Sequence, residues 1–201
     1  MRWLPLLLLA CTPAAPGRFL VVDGAAGSYD VTEAAIPELQ DPYRMRGSLG
    51  NGKVGGFLEL EDDAVAYGGG GSLAVDYVRE GDVGVPLDAD GLALWSFYHS
   101  LSSARSQLDS LGFDTEPVFP VDFAFQPTVG GASLITSNAA YVGGGAHVFA
   151  LLADPPNATL PLAANPMVIR HELGHALFQQ IVLDDVRAYD PTLSADLRLS
   201  A

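Results

Sequence analysis

The stretch Val168-Ile169-Arg170-His171-Glu172-Leu173-Gly174-His175-Ala176-Leu177 constrains this chain more than any other. Two histidines four apart on a helix project from one face, about one turn apart, so their imidazoles can hold a single metal ion. The spacing is that of a zinc site, with His171 and His175 as ligands. Glu172 follows the first of them directly and is placed to take a proton from a water that the metal has acidified. Val168, Ile169, Leu173, Ala176 and Leu177 are apolar, which suits a metal helix whose other side is buried. The competing account of the same residues is an ordinary amphipathic helix whose histidines are satisfied by hydrogen bonds.

At 201 residues, 49% of them hydrophobic, the chain can bury one sizeable core, or one domain plus an appendage. Its formal charge of −14 includes only ten Lys and Arg. Phosphate binding needs those residues in clusters, so no nucleic-acid partner is expected. An acidic chain suits an extracytoplasmic protein, although net charge can equally report solubility alone.

The N-terminus reads Met1-Arg2-Trp3-Leu4-Pro5-Leu6-Leu7-Leu8-Leu9-Ala10-Cys11, a basic start and an apolar run before the only cysteine. No disulfide can form within the chain. The run is too short to span a bilayer, so a cleaved address over 1–10 is expected in place of a membrane helix. Leu8-Leu9-Ala10-Cys11 resembles a bacterial lipobox, which implies lipidation at Cys11 and a lipid-anchored protein outside the cytoplasm. Thr12 after the cysteine points to the outer membrane of a two-membrane bacterium. An ordinary secretion signal and an apolar start without targeting meaning are the other readings. Residues 11–17 are expected to form a tether.

From Arg18 to Pro86 the pattern is strand-like. Phe19-Leu20-Val21-Val22, Phe57-Leu58-Glu59-Leu60-Glu61 and Leu73-Ala74-Val75-Asp76-Tyr77-Val78 are short segments separated by glycine-rich turns, which predicts an antiparallel β-rich segment. Glu59, Glu61, Asp62 and Asp63 read as a solvated strand face ending in a turn, not as a calcium site. Asp88 and Asp90 read as a turn and N-cap. A helix is expected over Asp90–Leu111, with Leu94, Phe97, Tyr98, Leu101, Ala104, Leu108 and Leu111 as its apolar face and Gly112 closing it. His99 falls off that stripe and is expected at the surface. Strands follow over Val118–Phe125, Ser137–Val142 and Gly143–Leu152. Asn165-Pro166 opens the metal helix as N-cap and first turn, and Asp190-Pro191 is expected to stop it.

The order helix, strand, Asn138-Ala139-Ala140-Tyr141, glycine-rich strand, His171-Glu172-Leu173-Gly174-His175 resembles the thermolysin-like and fungalysin-like metallopeptidases of the gluzincin group, over roughly residues 87–190. The resemblance implies a zinc metalloendopeptidase with Zn2+ on His171 and His175 and Glu172 as catalytic base. It also implies that Asn138 and Ala139 bind the backbone of a peptide or protein substrate by strand addition. The fold class expected is α+β: a β-rich segment at 18–86, then at 87–201 a zincin-like sheet with an amphipathic helix and the metal helix.

The chain departs from the family at the third ligand, which gluzincins take from a glutamate on the following helix, because no glutamate follows Glu172. The metzincin pattern fails as well, since Phe178 and Ile181 stand where it wants glycine and histidine. Asp184 and Asp185 on a continued α-helix would lie roughly 13–15 Å along the axis from His175, at about 1.5 Å per residue. Asp190 and Asp196 are the other carboxylates available. The expectation is that the catalytic unit is incomplete at Ala201, short of its third ligand. The alternative function is a non-catalytic cell-surface binding lipoprotein that keeps the motif as a relic.

Overall fold

Asp88 starts the helix around which the core is built. Its side chain accepts the Gly91 N–H at 2.7 Å and caps α1 (Ala89–Ser110), satisfying one of the amide groups that a helix start leaves unpaired. Gly112, at φ +83°, ends the helix where a side chain would be strained. The computed structural model describes residues 15–25, 28–61, 64–130, 139–143, 146–152 and 160–183.

Among the described residues, ten strands precede α1. They are β1 (Arg18–Ala25), β2 (Ser28–Ala34), β3 (Leu39–Asp41), β4 (Arg46–Gly47) and β5 (Gly50–Val54). Next come β6 (Phe57–Glu61), β7 (Ala64–Gly68), β8 (Gly71–Ser72), β9 (Tyr77–Glu80) and β10 (Val83–Pro86). After the helix lie β11 (Asp122–Phe125), β12 (Thr128–Val129), β13 (Ala139–Val142) and β14 (Val148–Leu151). A short 3₁₀ turn, Leu162–Ala164, leads into α2 (Pro166–Leu177), which passes into a π-helical turn, Phe178–Leu183. The architecture is α+β.

The main sheet runs β13-β14-β11-β5-β4-β3, with β8 added to β5. Strands β14, β11 and β5 are parallel, and β13 closes one edge antiparallel to β14. Period two divides their side chains cleanly. Phe123, Phe149 and Leu151 join the large core under the helices, while Ala124, Val148 and Ala150 face the β6–β7 hairpin through Leu58. All four β14 residues are buried, as expected for a strand covered on both faces.

The N-terminal strands are not all antiparallel. β1 pairs β10 in parallel, and β5 and β6 pair in parallel with β11 and β12. Parallel pairs need long crossovers, and the intervening strands and α1 supply them. Thus the 18–86 stretch shares its main sheet and its core with the residues after α1. Leu73 to Val78 is only partly a strand: Leu73 and Val75 are buried, but the Val75 N–H goes to the Tyr43 carbonyl at 2.8 Å, outside the ladder. The expected tether ends early, since Pro16 is buried and Gly17 N–H donates to the Asp82 carbonyl at 3.1 Å.

Helix α1 is buried almost all round in its first half, where Ala93, Leu94, Trp95, Ser96, Phe97 and Tyr98 are all inside. Ser96 Oγ donates to the Leu92 carbonyl at 2.6 Å and accepts the Val22 N–H at 2.7 Å, stitching β1 to the helix. Sheet β2-β1-β10-β9 on one side and α2 on another leave no wide polar face, so the simple one-stripe expectation fails there. His99 is accordingly half-buried, not at the surface. Leu111, counted in the apolar stripe, is 67% exposed at the C-cap. No helix among the described residues is long and apolar enough to cross a membrane.

Candidate metal centre

Helix α2 begins as its sequence predicts. The Asn165 side chain accepts the Met167 N–H at 3.0 Å, and Pro166 occupies the first turn, where no amide hydrogen is needed. Ile169, Leu173 and Ala176 form the buried stripe of α2 against α1 and the sheet. That stripe fixes the rotation of the helix and turns His171 and His175 outward together. The expected end at Asp190 is not reached as α-helix, because the α geometry stops at Leu177 and widens into the π-helical turn.

His171 and His175 bring their Nε2 atoms to 3.1 Å of each other, with ring planes at 83°. Two nitrogens bound to one zinc at 2.0–2.1 Å stand about 3.3 Å apart at a tetrahedral angle. The pair therefore fits a shared zinc ion with small adjustment, both rings taking the Nδ1–H tautomer. Without metal, the same approach allows one Nε2–H to donate to the other Nε2. His171, Glu172 and His175 are the group of ligand-type side chains that gather here among the described residues, all within 4.8 Å.

Glu172 faces inward from the same helix and is only 9% exposed. Its Oε2 accepts the Tyr141 backbone N–H from β13 at 2.7 Å, while Oε1 lies 4.0 Å from His171 Nε2. One oxygen is anchored and the other is turned toward the histidines. A buried carboxylate needs such a partner, and here the edge strand β13 provides it.

Ala139 lies on that edge strand, as expected, with its side chain buried. Residues two apart on a strand direct their amides to the same side, so the Ala139 peptide faces the edge on which Tyr141 meets Glu172. Asn138 and Cys11, with Asp184, Asp185, Asp190 and Asp196, lie outside the described residues. Glu59 sits in a β6–β7 hairpin as an exposed strand residue.

Two residues near the centre carried no assignable signal in the sequence. His147 makes hydrogen-bond contacts with the Tyr141 hydroxyl at 2.8 Å and with the Val118 carbonyl at 3.0 Å, and Gln180 joins them from the π-helical turn. A histidine in a glycine-rich loop and a glutamine after the motif have no periodicity to betray them. A groove of about 320 Å³ beside Lys53, Tyr67, Asp122 and Val148 opens on the other sheet face. It holds none of the His-Glu-His group, and the chemistry of the donor set outweighs its size in locating the site. No model of a known protein family matches this chain, and no curated protein or solved structure matches it significantly.

Proposed function

We propose that this protein is a zinc-dependent metalloendopeptidase acting outside the cytoplasm, lipid-anchored through Cys11. The observation that carries the proposal is the anchoring of Glu172: one carboxylate oxygen accepts the Tyr141 N–H, and the other is left facing two imidazole nitrogens 3.1 Å apart. A structural glutamate would bury both oxygens among partners, whereas a general base needs one oriented and accessible.

His171 and His175 would hold the zinc ion. When bound, zinc supplies Lewis acidity for a peptide carbonyl and lowers the pKa of water toward ~7. Glu172 Oε1 accepts a proton from the attacking water and returns it to the leaving amine nitrogen, acting as base and then as acid. The Tyr141 N–H keeps the carboxylate aimed throughout. An extended substrate adds alongside the edge strand β13 at Ala139 and, as the resemblance implies, Asn138, through backbone hydrogen bonds that are indifferent to its side chains.

Glu172→Gln keeps size and both imidazoles but cannot take the proton. Peptide hydrolysis by the zinc-loaded chain should fall about 10²–10⁴-fold while zinc content stays level. Hydrolysis by this variant at the parent rate would remove the peptidase reading. A parent chain that binds zinc and cleaves nothing would favour the cell-surface binding lipoprotein instead.

A further inference from the structure

His147 stands at φ +43°, a backbone region that non-glycine residues enter at a cost and keep only where their surroundings hold them. Its surroundings do hold it. Nε2 lies 3.0 Å from the Val118 carbonyl oxygen, and since a carbonyl only accepts, Nε2 must carry the proton. Nδ1 is then the acceptor of the neutral ring, and the Tyr141 hydroxyl donates to it at 2.8 Å. The Gln180 amide donates into the same pair, 3.2 Å from Nδ1 and 3.4 Å from Tyr141 Oη.

Tyr141 is thereby gripped at two points. Its hydroxyl is held by His147 and Gln180, and its backbone N–H is spent on Glu172. The ring between them packs edge-on against His147 and Phe149, with centroids 5.8 and 5.6 Å away. His147, just before β14, joins three other segments in this clamp: the loop at Val118, the edge strand β13, and the π-helical turn that continues α2. Glu172 in α2 and Gln180 in the π-helical turn both reach Tyr141, so the strand is tied to that helical stretch twice.

We propose that His147 is a positioning residue: by fixing the Tyr141 side chain it fixes the β13 amide that orients Glu172, and with it the sheet edge beside His171 and His175. Its catalytic consequence rests on the peptidase reading, but the clamp itself does not. His147 acts through Tyr141 and makes no contact with the reacting atoms in this scheme.

The test uses the full chain carrying isotope-labelled tyrosine and histidine, followed by NMR. In the parent, His147 should be the Nε2–H tautomer and the Tyr141 amide should exchange slowly. His147→Phe keeps a ring and loses both hydrogen bonds, so the Tyr141 amide should exchange about tenfold faster, the equivalent of one hydrogen bond. Zinc stoichiometry should stay unchanged, and kcat for peptide hydrolysis should fall about tenfold with KM within about twofold. His147→Asn should restore the protection, because its Oδ1 can replace Nδ1 and asparagine tolerates positive φ. Gln180→Leu leaves Tyr141 and the β13 amide in place and carries the same expectation if His147→Phe does not fold. An Nδ1–H tautomer in the parent, or an unchanged Tyr141 exchange rate in a folded variant, overturns the proposal. Faster exchange in a protein that hydrolyses no peptide would leave the clamp standing and remove only the peptidase reading.

Discussion

Tyr98 and His99 are neighbours on α1 and meet opposite fates. The Tyr98 hydroxyl accepts the Leu49 N–H at 3.2 Å and lies 3.4 Å from the Glu38 and Gly50 carbonyls, so burial, which pushes its phenol up to about 12, leaves it partnered. His99 Nδ1 is buried without a hydrogen-bond partner among the described residues. Burial lowers the pKa of that imidazole, Asp23 and Glu38 oppose the shift, and Arg170 adds to it. A lowered folded-state value means that the unfolded chain binds the proton more readily. Stability from this group is therefore full above the ordinary histidine value of about 6.5 and is lost as pH falls through the lowered one. Thermal denaturation from pH 7.5 to 5.5 (about one unit either side of that value) should show a falling midpoint that flattens in His99→Leu. A slope unchanged in that variant would assign the pH response to other groups.

At the scale of elements, α2 was the most legible part of the chain and what surrounds it the least. Asn165, Pro166 and the His171-to-His175 spacing are local signals, and the cap, first turn and paired imidazoles all stand where those signals put them. The partner of Glu172 could not be read the same way, because a backbone amide belongs to every residue and only the register of β13 singles out Tyr141. The end of α2 was likewise hidden. Leu177 to Leu183 has no proline or glycine to mark a change, yet the helix widens there, and the α-helical rise assumed for Asp184 and Asp185 does not extend through it. The cap makes a direct prediction: Asn165→Ala should cost about 0.5–2 kcal/mol of stability and weaken zinc binding by fraying the turn before His171. Calorimetric melting and a zinc titration on the same sample would check both. Unaltered zinc affinity alongside a lowered melting point would mean that the first turn does not position His171.

Over the whole molecule, alternation and glycine placement announced strands, but not which strands pair. The β1–β10 and β5–β11 pairings join residues far apart in sequence and in parallel sense, and period-two patterns carry no information about such partners. That is why 18–86 read as a separate antiparallel segment, although its β5 lies inside the main sheet. The anchoring proposal also belongs to this scale. Lipidation at Cys11 should send the protein into detergent, and Cys11→Ser should release it to the soluble fraction. Membrane partitioning that persists in the serine variant would remove the lipoprotein assignment.

The central claim is that one face of α2 holds zinc, and X-ray absorption at the zinc edge measures it most directly. The zinc-loaded chain should contain about one zinc ion with two imidazole nitrogens at roughly 2.0–2.1 Å, and the signal should vanish in His175→Ala. With His171 and His175 as ligands and Glu172, the third ligand-type group there, kept as the base, a mild chelator should strip the metal. Zinc that survives dialysis would point to a further ligand outside those residues, with Asp196→Ala the first variant to examine. A zinc spectrum without imidazole neighbours, or one unchanged in both His171→Ala and His175→Ala, would contradict the account.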